Sequence, residues 1–239
     1  MQLDELTMAD YVKAVRKTKT VIVPYGTVEE HGQHLPLSTD TIVMTEVARA
    51  AAERVAVFVA PPLHYGVCTS TGQHPGTIGI TAETVRSVTV DIVRDGFRKG
   101  LKRFILISGH AGGLHMAAMR EAGERLVEEL PGVEIAALSI YDLVRREITE
   151  MADTENDSHA GEMETSLILH IAERLVKGRS KEEYPKLPKL FLVREKMKFW
   201  PGGVWGNPHA ASAEKGERLF TVMVDKVVEV VREISGRGE

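Results

Sequence analysis

Residues 20–40 read TVIVPYGTVEEHGQHLPLSTD, and this stretch decides both the fold and the chemistry expected of the chain. Its opening, Thr20–Pro24, is an apolar, mostly β-branched run that predicts a buried strand. Two glutamates, two histidines and a closing aspartate follow within residues 27–40. Glu29 and His31 are two residues apart, so at an extended strand end their side chains point the same way. Because carboxylate and imidazole ligands together suit zinc, manganese, iron or cobalt, and an aspartate can bridge two such ions, metal chemistry is the first hypothesis.

Apolar, β-branched runs alternate along the chain with segments of helical periodicity. Strands are predicted at residues 20–24, 55–60, 103–108 and 133–139, and helices at residues 41–54, 81–100, 115–130, 161–176 and 212–234. Because the strands are continuous apolar runs, the alternation predicts a three-layer α/β/α sandwich around a mostly parallel sheet. No repeat or low-complexity linker interrupts residues 1–239, which are expected to form a single domain. Residues 177–199 are charged and irregular, which favours an excursion or an oligomer arm over a domain boundary.

The composition argues against several classes of protein. The 239 residues are 43% hydrophobic and carry a net charge of -4, without the basic block that binding to nucleic acid would favour. A single cysteine, Cys68, excludes an intramolecular disulfide and predicts a cytoplasmic location. The N-terminus has no signal-peptide pattern, and no apolar run approaches the ~20 residues needed to cross a bilayer, so no membrane association is expected.

Polar residues follow several of the predicted strands. Ligands of open α/β sheets bind beyond the carboxyl ends of the strands, where Glu29 and His31 follow the first strand and residues 64–65 follow the second. The third strand leads into residues 108–113, SGHAGG. This glycine-rich turn either begins a helix that binds an anion through its amides, or lets the backbone approach a metal ion closely enough for His110 to bind it.

A second polar cluster, DSHAGEMETS, occupies residues 157–166. His159 comes just before a predicted helix, and Glu164 lies in the first turns of that helix. Both Glu162 and Glu164 could simply stabilise the helix dipole, and this reading is reasonable for Glu162. Small and apolar residues follow Glu164, however, and they predict burial of a carboxylate that then needs a partner such as a metal ion.

Two further features have two readings each, and a third has one. His74 lies in QHPGT, residues 73–77, which is either a plain turn or a loop over the substrate. Residues 199–208 hold both tryptophans in a glycine-rich loop, which is either a lid or a subunit contact. Cys68 has no distinctive context and is interpreted as a packing residue.

Residues 25–40 resemble the first signature of the creatininase (creatinine amidohydrolase) family. Later blocks of that family are matched in order by HPGT at residues 74–77, GHAGG at 109–113, HAGEMETS at 159–166 and ASAEKGE at 211–217. The resemblance covers nearly the whole chain. It implies an α/β fold, two divalent ions (zinc, manganese or iron) per subunit, hydrolysis of non-peptide C–N bonds, and homo-oligomers, commonly hexamers.

The resemblance also implies roles for individual residues. The positions that match metal ligands of the family are Glu29, His31, Asp40 and His110. Asp40 matches the bridging ligand, and His159 matches the histidine assigned to proton transfer. In creatininase a further ligand is a glutamate two residues after the histidine of the third block, and here that position is Gly112. Glu164 is the natural replacement ligand, and it is counted with His159 among the expected catalytic residues.

These inferences predict a dinuclear metal-dependent amidohydrolase that acts on a small cyclic amide or formamide. Two ions ~3.5–4 Å apart would polarise a carbonyl and lower the pKa of a shared water, so a metal-bridging hydroxide would attack the amide carbon. A metal-dependent hydrolase of another bond, peptide-trimming or phosphoester, stays open, as does a non-catalytic metal-dependent binding protein. The residues expected near the substrate are His34, His74, Gly112 and Trp205.

Overall fold

The computed structural model describes residues 1–188 and 190–236. Among these residues, one sheet of parallel strands has the order β2-β1-β3-β4. The strands are β1 (Thr20–Tyr25), β2 (Phe58–Val59), β3 (Arg103–Ser108) and β4 (Glu134–Ser139). In the central pair, Thr20 is opposite Arg103 and Tyr25 is opposite Ser108, so β1 and β3 end at the same level. The loops that follow these two strands therefore meet at one edge of the sheet.

Helices cover both faces of the sheet. They are α1 (Met8–Ala14), α2 (Thr39–Arg54), α3 (Ala82–Arg98), α4 (Gly113–Glu129), α5 (Ile140–Leu143), α6 (Arg145–Met151), α7 (Glu162–Ala172) and α8 (Ala213–Gly236). Ile22 and Ile105 pack with α2, α7 and α8 on one face, whereas Val21 and Phe104 pack with α3 and α4 on the other. This architecture confirms the predicted α/β sandwich. In the described residues, no helix is both long and apolar enough to span a bilayer.

The elements differ from the sequence prediction mainly at their ends. β2 comprises Phe58–Val59 instead of residues 55–60, since it is an edge strand cut short by the two prolines that follow. α7 ends at Ala172, and a 3-10 turn at Glu173–Leu175 replaces its predicted last turn. The short helices α1, α5 and α6 were not predicted, because segments of four to seven residues carry little periodicity.

Two glycines let the start of α2 sit directly against the ends of β1 and β3. A Cβ at Gly26 would lie 2.1 Å from Thr41 Oγ1, and a Cβ at Gly109 would lie 2.3 Å from the Asp40 carbonyl oxygen. Any larger residue at either position would push the helix away from the sheet. This close approach places the Asp40 side chain between the loops that leave the two central strands.

Candidate metal centre

The Asp40 carboxylate stands between two imidazoles. Its Oδ1 lies 3.1 Å from His31 Nε2, and its Oδ2 lies 3.3 Å from His110 Nδ1. Thr27 Oγ1 donates a hydrogen bond of 2.5 Å to Oδ2 and fixes the orientation of the carboxylate. The Asp40 side chain is almost wholly inaccessible to solvent. Each oxygen of this single carboxylate therefore faces a different histidine.

On the first side of Asp40, His31 faces a second carboxylate. Its Nδ1 lies 3.1 Å from the carbonyl oxygen of Glu29, and because a carbonyl can only accept, Nδ1 carries the proton in the neutral ring. The lone pair on Nε2 then points at Asp40 and at Glu164 Oε2, which is 3.7 Å away. The backbone N–H of Ala160 donates a 2.6 Å hydrogen bond to the same Glu164 oxygen. His31, Asp40 and Glu164 together could hold a metal ion.

On the second side, His110 repeats this arrangement with its nitrogens exchanged. Its Nε2 donates to the carbonyl oxygen of Val67 at 3.2 Å, which leaves Nδ1 facing Asp40 and, at 2.8 Å, Glu29 Oε2. Thr71 Oγ1 donates to the other Glu29 oxygen. Among the described residues no group has hydrogen-bonding geometry with Glu29 Oε2, although this atom is buried. An unsatisfied buried carboxylate oxygen aimed at an imidazole lone pair fits a bound cation.

The charges of the cluster also fit cations. Burial alone would raise the pKa of the carboxyl groups and lower the pKa of the imidazoles, but the opposite charges nearby outweigh it. The positive charge of His110 beside it lowers the pKa of Glu29 to about 2, and the positive charges of His31 and His110 hold the pKa of Asp40 well below its usual value. Asp40 and neighbouring glutamates raise the pKa of His31 to about 10, and Asp40 and Glu29 raise the pKa of His110 well above its ordinary value. Without metal, protons on the imidazoles therefore balance the buried carboxylates, and divalent ions could replace those protons.

His159 lies beside the cluster with its ring centroid 4.3 Å from that of His31. Its Nε2 donates to the carbonyl oxygen of Glu30 at 2.8 Å and lies 3.5 Å from the Glu30 carboxylate. Burial and His31 lower the pKa of His159, but the bond to Glu30 and the neighbouring carboxylates raise it overall. A histidine held in this way can keep and release a proton at the edge of the cluster.

A cavity of about 610 Å³ opens over the cluster. The predicted site residues that line it are Glu29, Asp40, His110, Gly112, His159, Glu164 and Trp205. His31 lies behind them and is fully buried. Trp200 and Trp205 meet edge to face with their ring centroids 6.3 Å apart, and both form part of the cavity wall. The structure thus brings the expected ligand residues to one place at the carboxyl end of the sheet.

His34 and His74 lie outside the lining of the cavity, contrary to the expectation of substrate contact. His34 Nε2 lies 2.8 Å from Thr165 Oγ1, and its Nδ1 lies 2.9 Å from Ser180 Oγ. His74 Nε2 donates to the carbonyl oxygen of Trp200 at 2.6 Å. Both histidines are buried connectors between loops, because their ring nitrogens are engaged by neighbouring groups of the protein.

The loop after β2 contributes to the site differently from the expectation. Residues 64–65 are exposed to solvent, whereas Val67, Cys68 and Thr71 are buried next to Glu29 and His110. The hydroxyls of Thr71 and Thr27, which bond to the candidate ligand carboxylates Glu29 and Asp40, were not predicted from the sequence. Trp200 was expected only as part of a loop that forms a lid or a subunit contact. Threonines are common at strand ends, so their sequence positions carry no signal that could have identified these contacts.

Comparisons with known proteins identify the family of the chain. The family model described as Creatininase: Creatinine amidohydrolase matches residues 4–231. A mycofactocin precursor peptide peptidase of Mycobacterium ulcerans (strain Agy99) is 32% identical over 224 residues, 87% of this chain and 83% of the relative. The creatinine amidohydrolase of Pseudomonas putida is 28% identical over 253 residues, 96% of this chain and 95% of the relative. A solved mutant creatininase of the Zn-Zn type superposes with a TM-score of 0.90 at 25% identity, covering 98% of both chains. The chain therefore belongs to the creatininase family.

Proposed function

We propose that this protein is a dinuclear metal-dependent amidohydrolase that hydrolyses the C–N bond of a small cyclic amide or formamide. The observation that carries the proposal is the position of Asp40, whose two oxygens face His31 and His110 separately. One carboxylate between two imidazoles is the arrangement that a bridging ligand of two ions needs. The family match over residues 4–231 supports a single domain built around this centre.

The described residues would hold two divalent ions in two overlapping sets. One set comprises His31, Asp40 and Glu164, and the other comprises Glu29, Asp40 and His110. Two ions held there would polarise a substrate carbonyl and lower the pKa of a water molecule toward neutrality. Zinc is supported by the zinc form of the solved relative, and the nitrogen and oxygen donors suit manganese and iron as well.

Other side chains would orient the substrate and move the proton. His159 lines the cavity next to His31 and can deliver a proton to the leaving nitrogen, help that is worth about 10²–10⁴-fold in rate. Glu164 lines the cavity too and could accept a hydrogen bond from the substrate as well as hold metal. Trp200 and Trp205 form an aromatic wall that would exclude bulk water from the reacting amide.

A second candidate function is the trimming of a peptide. The cavity of about 610 Å³ could accept more than a small cyclic amide, and the mycobacterial relative is a peptidase of a precursor peptide. The same centre could attack a peptide carbonyl, since the chemistry at the reacting C–N bond is the same. The aromatic wall of Trp200 and Trp205 would then contact side chains of the peptide.

Hydrolysis is expected to depend on metal. Metal-free protein prepared with a chelator should release no amine from a panel of lactams, formamides and short peptides, and added Zn²⁺ or Mn²⁺ should restore release from at least one class. The reason is that the two ions would both activate the attacking water and polarise the carbonyl of the substrate. Amine release and metal content, measured on the same samples, check this expectation. Full activity in protein shown to be free of metal would refute the proposed function.

A homo-oligomer is expected in solution. Leu190, Phe191 and Leu192 are 89%, 73% and 106% exposed, three consecutive apolar residues that a monomer would leave in water. Covering these residues with a second copy of the chain would remove that surface from solvent. One chain has a mass of 26.4 kDa, and light scattering at micromolar concentration should give at least twice that mass. A monomeric mass would contradict this prediction, and charged substitutions at Phe191 and Leu192 should lower the measured mass.

A further inference from the structure

His115 lies in the first turn of α4, behind the ring of His110. It is fully buried, and its ring meets that of His110 edge to face, with 5.3 Å between the centroids. Gly66 makes room for it, because a Cβ at Gly66 would lie only 3.0 Å from His115 Nδ1. His115 is not part of the cavity wall, and neither the sequence motifs nor the proposed mechanism assigns it a role.

The backbone of Val67 connects the two histidines. The N–H of Val67 donates to His115 Nδ1 at 3.3 Å, and the carbonyl oxygen of Val67 accepts from His110 Nε2 at 3.2 Å. An amide N–H can only donate and a carbonyl can only accept, so these bonds fix both rings. His115 must present a lone pair at Nδ1, and His110 must carry a proton at Nε2. The Nδ1 lone pair of His110 is thereby directed at Glu29 and Asp40.

Packing alone does not explain a histidine at this position. Because Nδ1 accepts from the Val67 N–H, the neutral ring of His115 carries its single proton at Nε2. Within the described part of the chain, Nε2 has no hydrogen-bond partner. Leaving a buried donor unpaired is unfavourable, and an apolar side chain of similar size would avoid it. The feature that an apolar residue could not supply is the acceptor at Nδ1.

We propose that His115 is a positioning residue that holds the backbone of Val67, so that the carbonyl of Val67 fixes the ring of His110 for metal binding. The inference rests on the proposed function, in which His110 ligates one of the ions. The group that bonds to the distal nitrogen of a ligating histidine sets its tautomer and ring orientation, and loss of such support typically weakens metal binding by about 10–100-fold. His115 would act one step further out, through the backbone of Val67.

Two substitutions separate the acceptor from the packing volume. In His115→Asn, the side-chain oxygen is attached to the γ carbon, as Nδ1 is in histidine, and it can accept from the Val67 N–H. In His115→Leu, the volume is largely kept and the acceptor is lost. Zn²⁺ affinity would be measured on metal-free protein by competition with a chromogenic chelator. Thermal unfolding of the metal-free variants would report the packing defect separately.

We expect wild-type protein to bind Zn²⁺ most tightly, His115→Asn next and His115→Leu most weakly. His115→Asn should bind within about threefold of wild type and His115→Leu about 10–100-fold more weakly. The melting temperature of metal-free His115→Leu should be higher than that of metal-free His115→Asn, since Asn leaves a void and Leu does not. Equal affinities in wild type and both variants, or weaker binding by Asn than by Leu, would overturn the positioning role while the metal centre stands. A wild-type protein that binds no Zn²⁺ would refute the proposed function and the inference together.

Discussion

Asp40→Asn is expected to deplete the bound metal and abolish turnover. The Asp40 carboxylate lies 3.1 Å from His31 and 3.3 Å from His110, so it would give charge to both ions at once. The amide of asparagine is neutral, and its nitrogen has no free lone pair with which to bind an ion. We expect a loss of kcat/KM of at least about 10²–10³-fold, the scale of removing a central electrostatic contact, together with loss of metal measured by elemental analysis.

His159→Ala is the matched control for this experiment. It removes a cavity residue that bonds to the Glu30 backbone, and it leaves all five expected ligands in place. The variant should keep its metal and lose about 10²–10⁴-fold in kcat, the contribution of a proton-transfer group. The ring nitrogen of His159 also lies close enough to Glu29 and His31 to ligate an ion. Equal loss of metal in both variants would therefore show that His159 is a ligand and that its assigned role is wrong.

Creatinine is expected to be a poor substrate. The ligand glutamate of creatininase is replaced by Gly112, and the centre would take its third carboxylate from Glu164 on a different wall of the cavity. Gly113 also offers no side-chain amide to the substrate. A site that lacks a polar partner discriminates against the substrate that needs it by up to ~10⁴–10⁵-fold. The measurement is kcat/KM for creatinine against formamides, lactams and short peptides on metal-loaded protein.

Gly112→Glu provides a control for this prediction. A Cβ at residue 112 would lie 2.3 Å from His110 Nε2, so a side chain there must displace the ring that bonds to Val67. The substitution alone should therefore weaken metal binding and fail to create activity on creatinine. A wild-type kcat/KM for creatinine of ~10⁴ M⁻¹s⁻¹ or more, unmatched by any other amide, would refute the argument from Gly112.

The succession of strands and helices along the chain could be predicted from the sequence, and so could the parallel direction of the strands. Periodicity and β-branched runs act over neighbouring residues, so β1, β3 and β4 were predicted to within about one residue and the long helices to within a few. β2 is the exception, because its length depends on pairing with β1 and on the prolines that follow.

The residues of the candidate site were found for a related reason. In a parallel sheet the carboxyl ends of the strands share one edge, so Glu29, His31 and His110 had to meet there once the strands were assigned. The sequence indicated less about the role of Glu162. Its sequence position suggested only a helix-dipole partner, whereas the structure buries its carboxylate in an ion pair with Lys215 and in bonds to the backbone of residues 153–154.

The sequence by itself thus determined most of the elements, their parallel arrangement and the set of candidate metal-binding side chains, because each depends on local pattern or on strand direction. Only the tertiary structure decided which oxygen of Asp40 faces which imidazole. It also decided that His34 and His74 connect loops outside the cavity wall, and that His115 lies behind His110. These arrangements depend on distances of a few ångströms between residues far apart in the chain, and hydrogen bonds with directional donors and acceptors fix them only after the helices have packed against the sheet.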